Sequence, residues 1–398
     1  MPPECVLRTK SGSFMGHFGS SSSSKEALGK IEICDVTLRD GEQAPGVVFG
    51  LDEKAEIATK LDAVGVEMIE AGFPAVSAKE KTMVKKIANL GLSTKICCLS
   101  RAIFHDIDEA LDCDVDVVGL FMATSDLHLK YKYHRSFDEM LECALSTLEY
   151  AKEHGLTVRF AAEDATRTDP EVLKRFFKQG EEHGADYVNI ADTVGALRPS
   201  TCYDLVASVK RVVGVPLCIH CHNDLGMAVA NTITAAEAGT FQLHTTVNGI
   251  GERVGNTPLE ELLVALRIQF GIETYDLSKL MELSKTVEHH SRLRLPKNKP
   301  VVGLNAFSHE SGIHVAAVLE EAETYELFSP DLVGNKRRIV IGKHTGRKAL
   351  QYVIAQLGYR PTRDELCLIL DDVKRVCETK KSVSQEELED IIKTVMYR

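Results

Sequence analysis

The sequence predicts an α/β protein: a closed (β/α)8 barrel of the TIM type followed by small, mostly helical C-terminal subdomains. Three observations carry that expectation. Short β-branched or apolar runs alternate with longer stretches whose apolar residues recur at helical spacing. Eight such units fit into about 240 residues, the length a barrel of this type needs. Polar residues follow many of the runs, whereas a doubly wound open sheet would gather them at one switch point, and no glycine-rich phosphate loop follows the first run.

Taken in order, residues 1–30 form a Ser/Gly-rich tail around SGSFMGHFGSSSSS (11–24), too poor in apolar side chains to order itself. The barrel is expected over 31–275. Its strands are IEICDVT (31–37), VEMIEAGF (66–73), TKICCLS (94–100), DVVGLFMAT (116–124), LTVRFAAED (156–164), DYVNIAD (186–192), PLCIHCH (216–222) and FQLHTTVNG (241–249). Between them lie amphipathic stretches such as LDEKAEIATKLDAVG and SFDEMLECALSTLEYAKEHG, several ending at a glycine shortly before the next strand. Strand–helix alternation implies parallel strands joined by right-handed crossovers. Residues 276–330 read as a linker and first subdomain, and 331–398 as a second, helical one containing PTRDELCLILDDVKRVCETK and SQEELEDIIKTVMYR.

Bulk properties narrow the function. A formal net charge of -11 over 398 residues offers no broad positive field for nucleic acid. No apolar run is long enough to span a bilayer. The eleven cysteines are scattered through strand-like runs and read as reduced, buried thiols of a cytoplasmic protein. Cys97 and Cys98 are unsuited to one metal, because neighbours in a strand point to opposite faces.

A barrel places its chemistry at the C-terminal ends of its strands. His220 and His222 share one face of the seventh strand by the period-two rule, so both imidazoles point into the mouth. With Asp40, in the turn after the first strand, they make a mixed N/O set suited to a divalent ion with open positions left for substrate. The plain alternative is a pair of hydrogen-bonded interior histidines. Arg39 is either a counter-ion for Asp40 or an oxyanion stabiliser. Arg159 and Glu163 share a face of the fifth strand, and an inward arginine needs an anionic partner. Asp192 caps the following helix or faces the mouth. GIGERVGN is either a site loop or a tight turn with Glu252 and Arg253 paired to each other. Lys336-Arg337-Arg338 is a solvated cluster or a contact for anionic phosphates, and the solvated reading is preferred.

With these residues in hand, the chain resembles the 2-isopropylmalate/homocitrate/citramalate synthase family, relatives of HMG-CoA lyase. The matching motifs are DVTLRDGEQAPGV (35–47), EAGFP (70–74), AEDATRTD (162–169), IADTVG (190–195), IHCHNDLGMAVANT (219–232), TTVNGIGERVGNTPLEE (245–261), FSHESGIHV (307–315) and GKHTG (342–346). The resemblance implies a divalent-metal-dependent Claisen condensation of acetyl-CoA, as co-substrate, with a 2-oxoacid. It implies Asp40, His220 and His222 as ligands of one ion (Zn, Mn, Mg or Co), with Asn256 as a further or outer ligand. It implies Arg39 and Gln43 on the 2-oxoacid, Thr193 on the carboxylate beside the ketone, and Glu163, His314 and Tyr325 as the acid–base set. In the family the last two come from a partner subunit whose C-terminal region crosses onto the barrel, so a homodimer is implied.

Arg159 sits where homocitrate-forming members place an arginine on the distal carboxylate of 2-oxoglutarate, which favours that acceptor and the products homocitrate and CoA. The end of the chain at Arg398, where leucine-pathway relatives continue into a regulatory domain, is a weaker sign. Ala161, where lysine-pathway members often carry serine, and Asp40, where they often carry glutamate, draw the chain toward the methanogen-type homocitrate synthases and toward isopropylmalate or citramalate synthases. The alternatives are 2-oxoisovalerate or pyruvate as acceptor and, more remotely, an HMG-CoA lyase-like carbon–carbon lyase.

Overall fold

In the computed structural model, which describes residues 28–380 and 382–397, eight parallel strands close into a barrel in chain order. They are β1 (Glu32–Asp35), β2 (Met68–Glu70), β3 (Lys95–Arg101), β4 (Val117–Ala123), β5 (Thr157–Glu163), β6 (Tyr187–Asp192), β7 (Leu217–Cys221) and β8 (Gln242–Thr245). The barrel closes where β1 pairs with β8, Glu32 opposite Gln242 and Asp35 opposite Thr245. The expected fold class therefore holds. The tail reading falls mostly on residues 1–27, outside the described residues.

Strand alternation builds two separate interiors. Cys98, Val118, Phe160, Ile190 and Ile219 face the helices and join the main apolar core. Their neighbours Cys34, Val36, Met68, Cys97 and Val117 form a small cluster inside the barrel. Cys97 and Cys98 thus point to opposite sides, as a strand requires. All ten described cysteines are free, and eight of them are buried.

The strands alternate with α1 (Leu51–Val64), α2 (Ala78–Ala88), α3 (Phe104–Leu111), α4 (Phe137–Glu153), α5 (Pro170–Glu182), α6 (Pro199–Lys210), α7 (Ala228–Glu237) and α8 (Leu259–Phe270). Local chemistry sets several ends. Ser136 and Glu139 form a reciprocal capping box that starts α4. Asp169 caps α5 with Pro170 at its first position, and Gly65 ends α1 at φ 94.

Helix α9 (Leu280–Ser291) buries Leu280, Leu283 and Val287 in the barrel's own core. Beyond it lie a two-stranded parallel ladder, β9 (Ser308–His309) with β10 (Arg338–Ile339), and four helices, α10 (Gly312–Glu320), α11 (Arg347–Gln356), α12 (Arg363–Cys377) and α13 (Gln385–Met396). Helices α11 to α13 enclose a second core that includes Leu350, Ile354, Ile369, Val373, Leu388 and Ile392. Among the described residues no helix is long and apolar enough to cross a membrane.

Candidate active site

The turn after β1 is held before it meets any other strand. The amide of Asp40 donates to the Val36 carbonyl at 2.8 Å. The fully buried Lys54 of α1 donates to the Leu38 carbonyl at 3.1 Å and pairs with Glu42 at 2.7 Å, pinning the loop to the helix behind it. This presents Asp40 to β7, where Ile219 and Cys221 take the helix side and leave His220 and His222 facing inward. The two Nε2 atoms lie 3.2 Å apart, and 3.8 and 4.0 Å from Oδ2 of Asp40. One ligand atom from each of the three residues lies within 4.8 Å of the others, and all three residues are buried.

Asn256 completes the cluster. Its Nδ2 donates to Oδ1 of Asp40 at 2.6 Å, while its buried Oδ1 has no hydrogen-bond partner among the described residues. A buried acceptor without a donor is costly, and a cation would satisfy it. Two imidazole nitrogens, a carboxylate and this free carbonyl oxygen fit a divalent ion. Gly251 makes the approach possible: a Cβ there would stand 2.2 Å from Asn256 Nδ2 and 2.6 Å from Asp40 Oδ1.

Electrostatics keep the set ready for a cation. Burial favours protonated Asp40, but the Arg39 guanidinium, the two imidazoles and Asn256 overcome it and hold the carboxyl well below the usual range. Burial, reinforced by His222, pushes His220 down to about 3, and burial also lowers His222. Near neutral pH the cluster is therefore one anion and two neutral imidazoles.

Below it runs a chain of alternating charge. Nη1 of Arg39 lies 2.6 Å from Asp40, its Nε donates to Glu70, and Glu70 in turn accepts from Nη2 of Arg159. Burial raises Glu70, yet the two guanidinium groups outweigh it and leave the carboxyl lowered. Arg159 is 2% exposed, so it is an interior residue and not a surface arginine at a strand edge. Its Nη1 touches Cys34 Sγ at 3.3 Å and Gln242 Oε1 at 3.5 Å, while its buried Nε has no partner among the described residues. Gly119 leaves the room it needs, since a Cβ there would lie 2.9 Å from Arg159 Nη2.

The remaining expected residues divide. Gln43 is exposed and accepts from Arg39 at 3.3 Å. Thr193 accepts the Asp164 amide at 2.8 Å through its hydroxyl. Glu163 ends β5, with both carboxylate oxygens 2.8 Å from Lys132 Nζ. Asp192 is a loop pin: it accepts from the amides of Ala196 and Leu197 and from the Thr166 hydroxyl, ahead of α6. Arg253 does not pair with Glu252. It reaches Asp224 at 2.8 Å and the Thr193 carbonyl at 2.6 Å from a backbone at the positive φ of 59°. Arg337 is bound to Glu326 at 2.6 Å, and Arg338 donates to the Leu304 and Lys336 carbonyls, so two of the three basic residues serve the fold.

His314 and Tyr325 are brought to each other, with ring centroids 4.0 Å apart and planes at 24°. Both are exposed, and among the described residues no hydrogen bond or ion pair joins either side chain to the barrel. Sequence reasoning passed over Lys132 and the inward, buried His244. Strand parity with Gln242 was the available signal for His244. Lys132 lies in a π-turn (Leu129–Tyr133), which has no signature in the sequence.

Comparison with known proteins adds to this geometry. The HMGL-like family model matches residues 30–287, and the model for the homocitrate synthase post-HMGL domain-like region matches residues 301–381. Homocitrate synthase AksA of Methanosarcina acetivorans is 59% identical over 368 residues, which cover 92% of this chain and 91% of that protein. (R)-citramalate synthase CimA of Methanocaldococcus jannaschii is 48% identical over 366 residues, or 92% of this chain and 74% of that protein. Among solved structures, the HMG-CoA lyase of Bacillus subtilis superposes with a TM-score of 0.61 at 21% identity, covering 67% of this chain and 95% of that one, a likeness of fold.

Proposed function

This chain belongs to the HMGL-like family, in the branch that also carries the homocitrate synthase post-HMGL region, and from that premise we propose that it is a homocitrate synthase. It condenses acetyl-CoA with 2-oxoglutarate, and hydrolysis of the resulting thioester by water gives homocitrate and CoA. The observation that carries the reaction class is the buried Asp40–His220–His222 cluster at the barrel mouth, with Arg39 against its carboxylate.

Asp40, His220 and His222 would hold the divalent ion, with Asn256 beside them. Bound there, the ion supplies Lewis-acid polarisation of the ketone. The other steps belong to the chain's own groups. Arg39, with Gln43 next to it, orients the 2-oxoacid and offers charge to the developing alkoxide. Thr193 takes the carboxylate beside the ketone. Glu163 removes a methyl proton from acetyl-CoA, a weak carbon acid that needs a positioned base. His314 and Tyr325, presented by the C-terminal region of a second copy, complete the acid–base set, and their exposure and mutual stacking support that reading.

For the acceptor, support comes from the 59% identity to a homocitrate synthase and from Arg159 inside the barrel. A distal carboxylate there would share the guanidinium with Glu70, whereas an isopropyl group would offer nothing to its unpartnered Nε. The 48% identity to a citramalate synthase keeps pyruvate as the second reading. Ten free described cysteines, eight of them buried, fit a reducing cytoplasm.

The test mixes protein, a divalent metal and acetyl-CoA with 2-oxoglutarate, 2-oxoisovalerate or pyruvate, and follows CoA release with a thiol reagent. Release with 2-oxoglutarate is expected. Release only with one of the others overturns the acceptor.

A further inference from the structure

The connection between β4 and α4 contains a short turn (Asp126–His128) and the π-turn at Leu129–Tyr133. A π-helical turn is rare and frequently sits at functional sites. This one delivers Lys132 to the end of β5, its ammonium 2.8 Å from each carboxylate oxygen of Glu163. The Phe121 and Tyr133 rings flank that ammonium, with centroids 5.8 and 5.2 Å away. Among the described residues the Glu163 carboxylate accepts hydrogen bonds from Lys132 alone. His128 Nδ1 stands 3.4 Å from the same carboxylate, and its Nε2 is 3.8 Å from Asp164.

The strand end beneath is equally fixed. Asp164 adopts φ 60, its amide bonds to Thr193, and its carboxylate takes the Ser125 hydroxyl and Arg167 Nε. Glu163 is thus held by the backbone on one side and by a single cation on the other. Burial lowers the Lys132 ammonium, but its hydrogen bond and charge pairing with Glu163 outweigh this and raise it, so it stays charged.

We propose that Lys132 is a positioning residue for the base, keeping the Glu163 carboxylate oriented toward the acetyl methyl group. The inference rests on the role given to Glu163 above. In the step concerned the methyl C–H breaks, its proton passes to a Glu163 oxygen, and its electron pair becomes the thioester enolate that attacks the ketone carbon. Lys132 neither gives nor takes a proton. The titratable groups that face Glu163 are Lys132, His128 and Tyr133 from the β4–α4 connection and Asp164 beside it, with Arg101 of β3 acting on Tyr133.

The test uses the full chain with divalent metal, acetyl-CoA and 2-oxoglutarate. Lys132→Met lowers kcat about 100-fold, within the range of acid–base catalysis, and leaves KM for the 2-oxoacid unchanged. The isotope effect with trideuterated acetyl-CoA rises, because proton removal becomes limiting. Lys132→Arg recovers most of the rate, and metal affinity stays that of the wild type in both variants. A Lys132→Met enzyme with wild-type kcat and an unchanged isotope effect overturns the proposal. So does an equal loss in Lys132→Arg accompanied by a lowered Tm, which marks a structural role. Wild-type protein that releases no CoA with any 2-oxoacid overturns the functional reading, and the proposal with it.

Discussion

The barrel mouth and the segment carrying His314 and Tyr325 are built on opposite plans. Asp40, Glu70, Arg159, His220 and His222 are each less than a tenth exposed, and each charged group among them touches an opposite charge. His314 and Tyr325 stand exposed and touch each other. Their segment is nevertheless well anchored: Glu326, next to Tyr325, accepts from Arg337 at 2.6 and 2.7 Å and meets His309 at 3.1 Å. The difference follows from desolvation. A buried charge must find its partner within its own barrel, because an unpaired one costs several kcal/mol, on the order of 3–5 when a partner is removed. An exposed imidazole and phenol have no such obligation, so they are free to be completed by a surface that is not their own.

The largest expected effect breaks the mouth. His222→Ala, or exhaustive chelation of the wild type, should abolish CoA release by about 10³-fold or more, the scale of several kcal/mol of charge stabilisation. Calorimetric titration should show divalent-metal binding lost in the variant. Full activity after chelation refutes the metal reading.

His314→Ala tests the other side of the comparison. It should lower kcat by about 100-fold while calorimetry finds metal binding intact. Mixed with His222→Ala protein under conditions that exchange subunits, it should regain activity, since one mouth in the mixed dimer then has all its parts. No recovery on mixing means that each chain serves its own mouth.

Arg159→Ala sharpens the acceptor assignment. KM for 2-oxoglutarate should rise about 10- to 100-fold, the loss of one charge-assisted contact, with metal affinity unchanged in the same titrations. An unchanged KM removes the physical case for a dicarboxylate.

The smallest effect concerns the barrel wall alone. Asp35 is fully buried, and burial pushes its carboxyl up to about 7, against hydrogen bonds from Thr37 and Thr245 that favour the anion. A folded carboxyl raised above its unfolded value of 3.8 holds a proton that the unfolded chain has released. Its contribution is present at low pH and is lost as pH climbs through the window from about 4 to 7. Asp35→Asn should therefore flatten the fall of Tm across that window, read by scanning calorimetry. An unaltered slope would show that Asp35 titrates normally.

Strand parity and spacing carried a good part of this. The β-branched runs marked eight strands, the H-x-H at 220 and 222 put two imidazoles on one face, and the turn at 39–40 supplied the carboxylate. The same parity pointed to Arg159 but did not reveal its partner. That Glu70 sits between Arg39 and Arg159, that Arg253 turns to Asp224, and that Lys132 reaches Glu163 from a π-turn were all outside its reach.

What the chain determined by itself is which side chains face inward and which strand ends carry charge, because a strand's period of two is covalent geometry that acts between neighbours. What only the tertiary structure decided is which of those inward groups meet. That depends on the tilt and stagger with which eight strands close, and closure joins residues as far apart in sequence as Asp40 and Asn256.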